Sequence, residues 1–121
     1  MKIQFNTDAN IKGTEELSAR VCASVEQALE RFAEYITRVE VHLSDESRGR
    51  SGPHEQRCML EARLQGQQPV AVTEHSTTLE QAVHGATLKL VHLLDHKIGR
   101  QKDQRKKITD LPLSESEAEP E

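Results

Sequence analysis

The hydrophobic periodicities of this chain predict an α+β fold in the order β-α-β-β-β-α, a four-stranded sheet with two helices packed on one face. Three observations carry the prediction. Four short segments alternate apolar and polar residues with period two. Two longer segments repeat apolar residues every three or four positions. The last three strand-like segments follow one another with no helix between them, so they form an antiparallel meander, with the first strand added at an edge or beside the second.

Residues 2–6 (KIQFN) put Ile3 and Phe5 on one side of a short strand. Thr14 followed by Glu15 and Glu16 starts a helix, because a hydroxyl accepts from free backbone N–H groups and carboxylates suit the positive helix end. Leu17, Val21, Val25, Ala28, Leu29 and Phe32 then give an amphipathic helix of about five turns that ends near Glu34. In 36–43 (ITRVEVHL), Val39, Val41 and Leu43 alternate with Arg38, Glu40 and His42, a strand with one wet face.

The segment 44–56 holds two Gly, one Pro and several small polar residues, and reads as a loop. Cys58, Leu60, Ala62 and Leu64 then alternate with Arg57, Met59, Glu61 and Arg63. A turn at 65–68 leads to a strand over 69–75 with Val70 and Val72 inward, Pro69 being tolerated at a first position. Ser76, Thr77 or Thr78 can cap the second helix. Its apolar stripe is Leu79, Ala82, Val83, Ala86, Leu90, Leu93, Leu94 and Ile98, and a run to Asp103 makes it about 40 Å long. From Leu111 onward Pro, Ser and Glu dominate, which predicts disorder. The expected organisation is one domain over 1–107 and an acidic tail over 108–121.

With Phe5, Phe32 and Tyr35 as the only aromatic residues, the core must be aliphatic. No apolar run approaches the roughly 20 residues of a membrane span, and the opening MKIQFN turns polar too early for a signal peptide. Cys22 and Cys58 have no metal-ligand spacing and are expected as reduced, largely buried thiols, which fits a cytoplasmic protein.

Charge is distributed unevenly. Residues 86–107 carry seven Lys or Arg against two Asp, a net of +5, while 1–85 sum to −4 and 108–121 to −5. A basic rod between two acidic parts points to a polyanion-binding surface. Lys89, His92, His96 and Arg100 fall on one helical stripe offset from the leucines, and Lys97, Lys102, Arg105, Lys106 and Lys107 broaden it. Cations spaced along a rod suit a phosphate backbone, where each contact releases counterions without reading sequence. The bland alternative is a solvated helix face whose cations favour a helix C-terminus.

Other chemistry finds little support. His92 and His96 at i, i+4 have the spacing to chelate a divalent ion, with His84 two turns away, but HLLDH lacks the Glu of a zincin helix and no third ligand is evident. No metal and no cofactor is therefore expected, and these histidines read as polar members of the basic stripe. The motifs GxSxG, GxGxxG and the P-loop are absent from the sequence, and Glu15 and Glu16 diverge on a helix, so nothing argues for an enzyme or a small-molecule substrate. Arg48, Arg50 and Arg57, with Gly49, Gly52 and Pro53, offer a second basic contact of the kind that orders on RNA, in a stretch shared with Asp45, Glu46 and Glu55.

Here the pattern resembles a known family, the ribosome hibernation-promoting factor / ribosome-associated inhibitor proteins, also called sigma-54 modulation proteins. The matching features are I-x-F-N at 3–6, Ile11 followed by T-E-E-L, then L-E-R-F-A-E-Y-I and V-E-V-H-L, later V-T-E-H, T-L-E-Q-A-V and K-L-V-H-L-L-D-H-K with basic residues behind it. The resemblance covers about 1–107. It implies a double-stranded-RNA-binding-domain-like fold that docks in the mRNA/tRNA channel of the small ribosomal subunit and silences translation when growth slows. Contacts with 16S rRNA would then come from Lys89, Lys97, Arg100 and Lys102, continued by Arg105, Lys106 and Lys107, and on the first helix from Arg20 and Arg31 among five Glu. This chain departs from the family in a lysine-poor first helix, a longer 44–56 loop and the lack of a second, dimer-forming module. Its acidic tail is similar to that of the inhibitor branch, which holds ribosomes as inactive monomers. Such a tail has the charge to fold back on the basic helix.

The leading expectation is a non-enzymatic ribosome-inactivation factor, monomeric when free, with rRNA as partner and no membrane contact. The alternative is a protein–protein adaptor whose basic helix only solubilises it.

Overall fold

The structure, a computed structural model, describes residues 1–47 and 55–110, with the side chains of 100–110 outside that description. Its elements are β1 (Lys2–Thr7), α1 (Glu15–Ala28), a 3₁₀ turn (Glu30–Phe32), β2 (Ile36–Asp45), β3 (Gln56–Leu64), β4 (Val70–Ser76) and α2 (Leu79–Asp110). The expected β-α-β-β-β-α order is therefore observed. Contacts divide the chain into a unit of Met1–Val91, holding the sheet, α1 and the start of α2, and a unit of His92–Glu121.

The sheet runs β1-β2-β3-β4, with β1 parallel to β2 at one edge and the other pairs antiparallel. Period-two alternation sends three rows to one face: Ile3–Val39–Ala62–Val70, Phe5–Val41–Leu60–Val72 and Thr7–Leu43–Cys58–Glu74. The residues of β2 and β3 in these rows are buried, as are Val21 and Val25 of α1, Leu29 just after it, and Ala82, Val83, Ala86 and Leu90 of α2. Burying one such side chain contributes about 1.5–3 kcal/mol, and here nearly all of them are aliphatic. The other face carries Arg38, Glu40, His42, Arg57, Glu61, Arg63 and His75.

Local chemistry places the element ends. Thr14 Oγ1 accepts from Leu17 N at 3.0 Å and Thr78 Oγ1 from Gln81 N at 3.1 Å, so of the three candidates before α2 it is Thr78 that accepts at the helix start. Ser76 and Thr77 donate instead to the Gln81 side chain. Gly66, at φ 71, makes the β3–β4 turn in a left-handed conformation that suits glycine. Ile36 is out of phase with Val39, Val41 and Leu43, and a bulge in the register between Ile36 and Arg38 absorbs the extra residue, so all four are buried. Thr37 seals it by donating to Arg63 O at 3.0 Å.

Three expectations are corrected. The first helix stops at Ala28 rather than near Glu34, because the chain tightens into the 3₁₀ turn that buries Phe32. The second helix passes Asp103 and reaches Asp110, since 100–110 is free of Gly and Pro and the first breaker is Pro112. Cys58 is fully buried but Cys22, at the edge of its helix stripe, is only half-buried. Both thiols are free, and burial pushes that of Cys58 up to about 12. Residues 48–54 and 111–121, including Arg48, Arg50 and the expected disordered tail, lie outside the described residues.

Two measurements check this core. Leu60→Ala should lower unfolding free energy by about 2–5 kcal/mol in urea titration, since Leu60 is fully buried in the central strand pair. Alkylation followed by mass spectrometry should label Cys22 alone in the native protein and both cysteines in denaturant, because thiolate is the reacting form.

Candidate functional site

The residues expected to meet a polyanion are arranged by helix phase. Lys89, His92, His96, Lys97, Arg100, Lys102, Arg105, Lys106 and Lys107 all lie on α2. In the first unit Leu90 is buried and its neighbour Lys89 exposed; in the second, Leu94 and Ile98 are buried while His92 and His96 are exposed and Lys97 half-buried. Each stretch thus keeps its apolar stripe inward and its polar groups outward, as the spacing requires. For Arg100, Lys102, Arg105, Lys106 and Lys107 the structure gives a helical backbone only.

Lys89 is not a bare cation. Its Nζ lies 2.7 Å from Oε1 of Glu74 and donates to Thr73 O at 2.8 Å, both on β4. Sequence reading missed this partner because strand phase places Glu74 on the apolar side, where an acid is not expected.

On the other helix, Arg20 is exposed and lines a groove of about 220 Å³ with Leu17, Val21, Leu79, Val83 and His84. Arg31, on the 3₁₀ turn, stacks its guanidinium 4.4 Å from the centre of the Phe32 ring.

The open sheet face holds a second set of charges that alternation predicted but could not pair. Glu40 accepts from Arg38 Nη2 at 2.6 Å, meets His42 Nε2 at 3.2 Å and has Arg63 Nε at 3.8 Å. The His42 hydrogen bond, with both guanidiniums beside it, holds the Glu40 carboxyl below the ordinary carboxylate range. At the neck of the β2–β3 connection, His75 Nε2 lies 3.5 Å from Glu46 and 3.8 Å from Glu55, and Arg57 Nε is 3.8 Å from Glu46. Among the described residues this is the group whose His and Glu donor atoms converge closely enough for a metal ion. It is exposed, and a guanidinium already neutralises one of its carboxylates, so ion pairing accounts for it. No helix among the described residues is long and apolar enough to cross a membrane.

Comparison with known proteins places this geometry. A crystal structure of the Thermus thermophilus Protein Y N-terminal domain superposes with a TM-score of 0.63 at 22% identity, covering 79% of this chain and 98% of that one. A ribosomal subunit interface protein from Coxiella burnetii gives 0.62 at 15% identity, over 82% of this chain and 99% of that one. Both share the fold. No curated protein matches the sequence significantly. The family described as sigma 54 modulation protein / S30EA ribosomal protein matches residues 4–106, from within β1 to within α2, and the chain belongs to that family.

Proposed function

We propose that this protein is a ribosome-associated inactivation factor that binds 16S rRNA of the small subunit in the mRNA/tRNA channel through the basic positions of α2. It acts by occupying the channel, without catalysis or cofactor. Family membership supports the ribosome as partner, and one similar fold is itself named a ribosomal subunit interface protein. The observation that carries the rRNA reading is the charge of α2: seven Lys or Arg in residues 86–107 of a chain with net charge −4, on a helix that buries Leu90, Leu94 and Ile98. On an acidic protein such a concentration is a directed polyanion contact, and each cation adds to affinity by releasing counterions. Arg20 and Arg31 belong to the same reading as minor contacts from the α1 side.

Purified protein should pellet with 30S and 70S particles and not with 50S, with affinity falling steeply as salt rises. The combined variant Lys89→Glu, Lys97→Glu and Arg100→Glu should lose at least about tenfold in affinity and show a flatter salt dependence while melting like the parent. Unchanged pelleting of that variant would move the contact off α2. If no particle pellets at low salt, the basic helix only solubilises the protein and the adaptor reading replaces this one.

A further inference from the structure

Glu74 occupies an unusual place. It ends the row Thr7–Leu43–Cys58–Glu74, in which Leu43 and Cys58 are buried, on the edge strand and on the face covered by apolar residues. Its carboxylate reaches along α2 to the Lys89 ammonium at 2.7 Å, and the side chain stays 29% exposed against 54% for Lys89. Gly85 makes the passage possible: a Cβ at that position would stand 2.7 Å from Cγ and 2.8 Å from Cδ and Oε2 of Glu74. Gly85 precedes Lys89 by one helical turn, so the acid lies over the glycine and meets the lysine at the next turn. Lys89 also donates to the Thr73 carbonyl at 2.8 Å, which leaves one of its three donors unused by these two contacts.

A carboxylate and a phosphodiester present similar oxygens to an ammonium donor. We propose that Glu74 is an internal phosphate surrogate. It holds Lys89 in the place where an RNA phosphate oxygen binds, and it is displaced when that phosphate arrives. The Thr73 carbonyl keeps the ammonium in position through the exchange. Glu74 thereby weakens this contact and sets its salt dependence, because a lysine neutralised by its own protein releases fewer counterions on binding RNA. The inference rests on the ribosome-binding reading above. It adds a residue that recognises nothing itself but tunes one that does.

The test compares the full chain with Glu74→Gln and Gly85→Ala, using purified small ribosomal subunits as probe across a salt series. The glutamine variant keeps the shape and removes the charge; the alanine pushes the carboxylate aside. Glu74→Gln should bind about two- to fivefold tighter at low salt, with a log–log salt slope steeper by about one. Gly85→Ala should shift affinity the same way, and the double variant should gain nothing beyond Glu74→Gln. Adding Lys89→Met to Glu74→Gln should erase the gain. Equal or weaker binding by Glu74→Gln, with parental binding intact and the variant folded by thermal melt, overturns the role of Glu74 and leaves the ribosome reading standing. Absence of binding by the parent overturns both. Should Gly85→Ala fail to fold, Glu74→Gln decides alone.

Discussion

Val39, Val41, Leu43, Cys58, Leu60 and Ala62, six residues of the two central strands, are at most 2% exposed. The chain has no Trp and two Phe, so contact between these aliphatic groups and the helix stripes supplies most of the driving force for folding. A sheet of four strands with two helices has enough apolar cover for one face only. Charged residues then go mainly to the open face or to the outer sides of the helices, with Glu74 at the edge of the covered face an exception. The location of the candidate site follows from that division before any argument about function begins.

The same division explains what was legible in the sequence. Alternation of Val39, Val41 and Leu43 with Arg38, Glu40 and His42, and the leucine spacing of α2, follow from burial and can be read one segment at a time. Features that depend on a second segment could not be. Ile36 fits the core only because a bulge shifts the register against β3, and α1 gives way to a 3₁₀ turn because Phe32 must turn inward. The end of α2 was misplaced for the opposite reason: a run of good helix formers continued it where the apolar stripe had stopped.

The candidate site divides in the same way. Its residue types and their phase on α2 were visible, since both follow from helical period. The pairing of Lys89 with Glu74 was not, because the partners are 15 positions apart and are joined by strand register and by a glycine whose missing side chain leaves the room. A glycine in a helix interior costs roughly 0.5–1 kcal/mol relative to alanine. At Gly85 that cost has a visible return in the space given to a carboxylate.

Charge density alone would not choose α2 over the sheet as a polyanion surface, because the open face also carries Arg38, Arg57 and Arg63. Pairing decides it. Arg38 and Arg63 share Glu40, and Arg57 faces Glu46, so a phosphate approaching the sheet must break an existing ion pair for each cation it gains. Directly opposed residues there are alike in charge, Arg38 with Arg63 and Glu40 with Glu61, so the pairs run two positions along the strand or diagonally across it, where Glu40 meets both arginines. Helical period does the reverse along 86–107, where Asp95 and Asp103 are the only acids among seven cations. Within the segment two carboxylates stand against seven cations, a net of +5, and that excess is what the proposed rRNA contact uses. At Lys89 an acid comes from outside the segment, Glu74 of β4. On the proposed reading, the fold thereby sets the strength of the contact at Lys89, and composition that of the other cations.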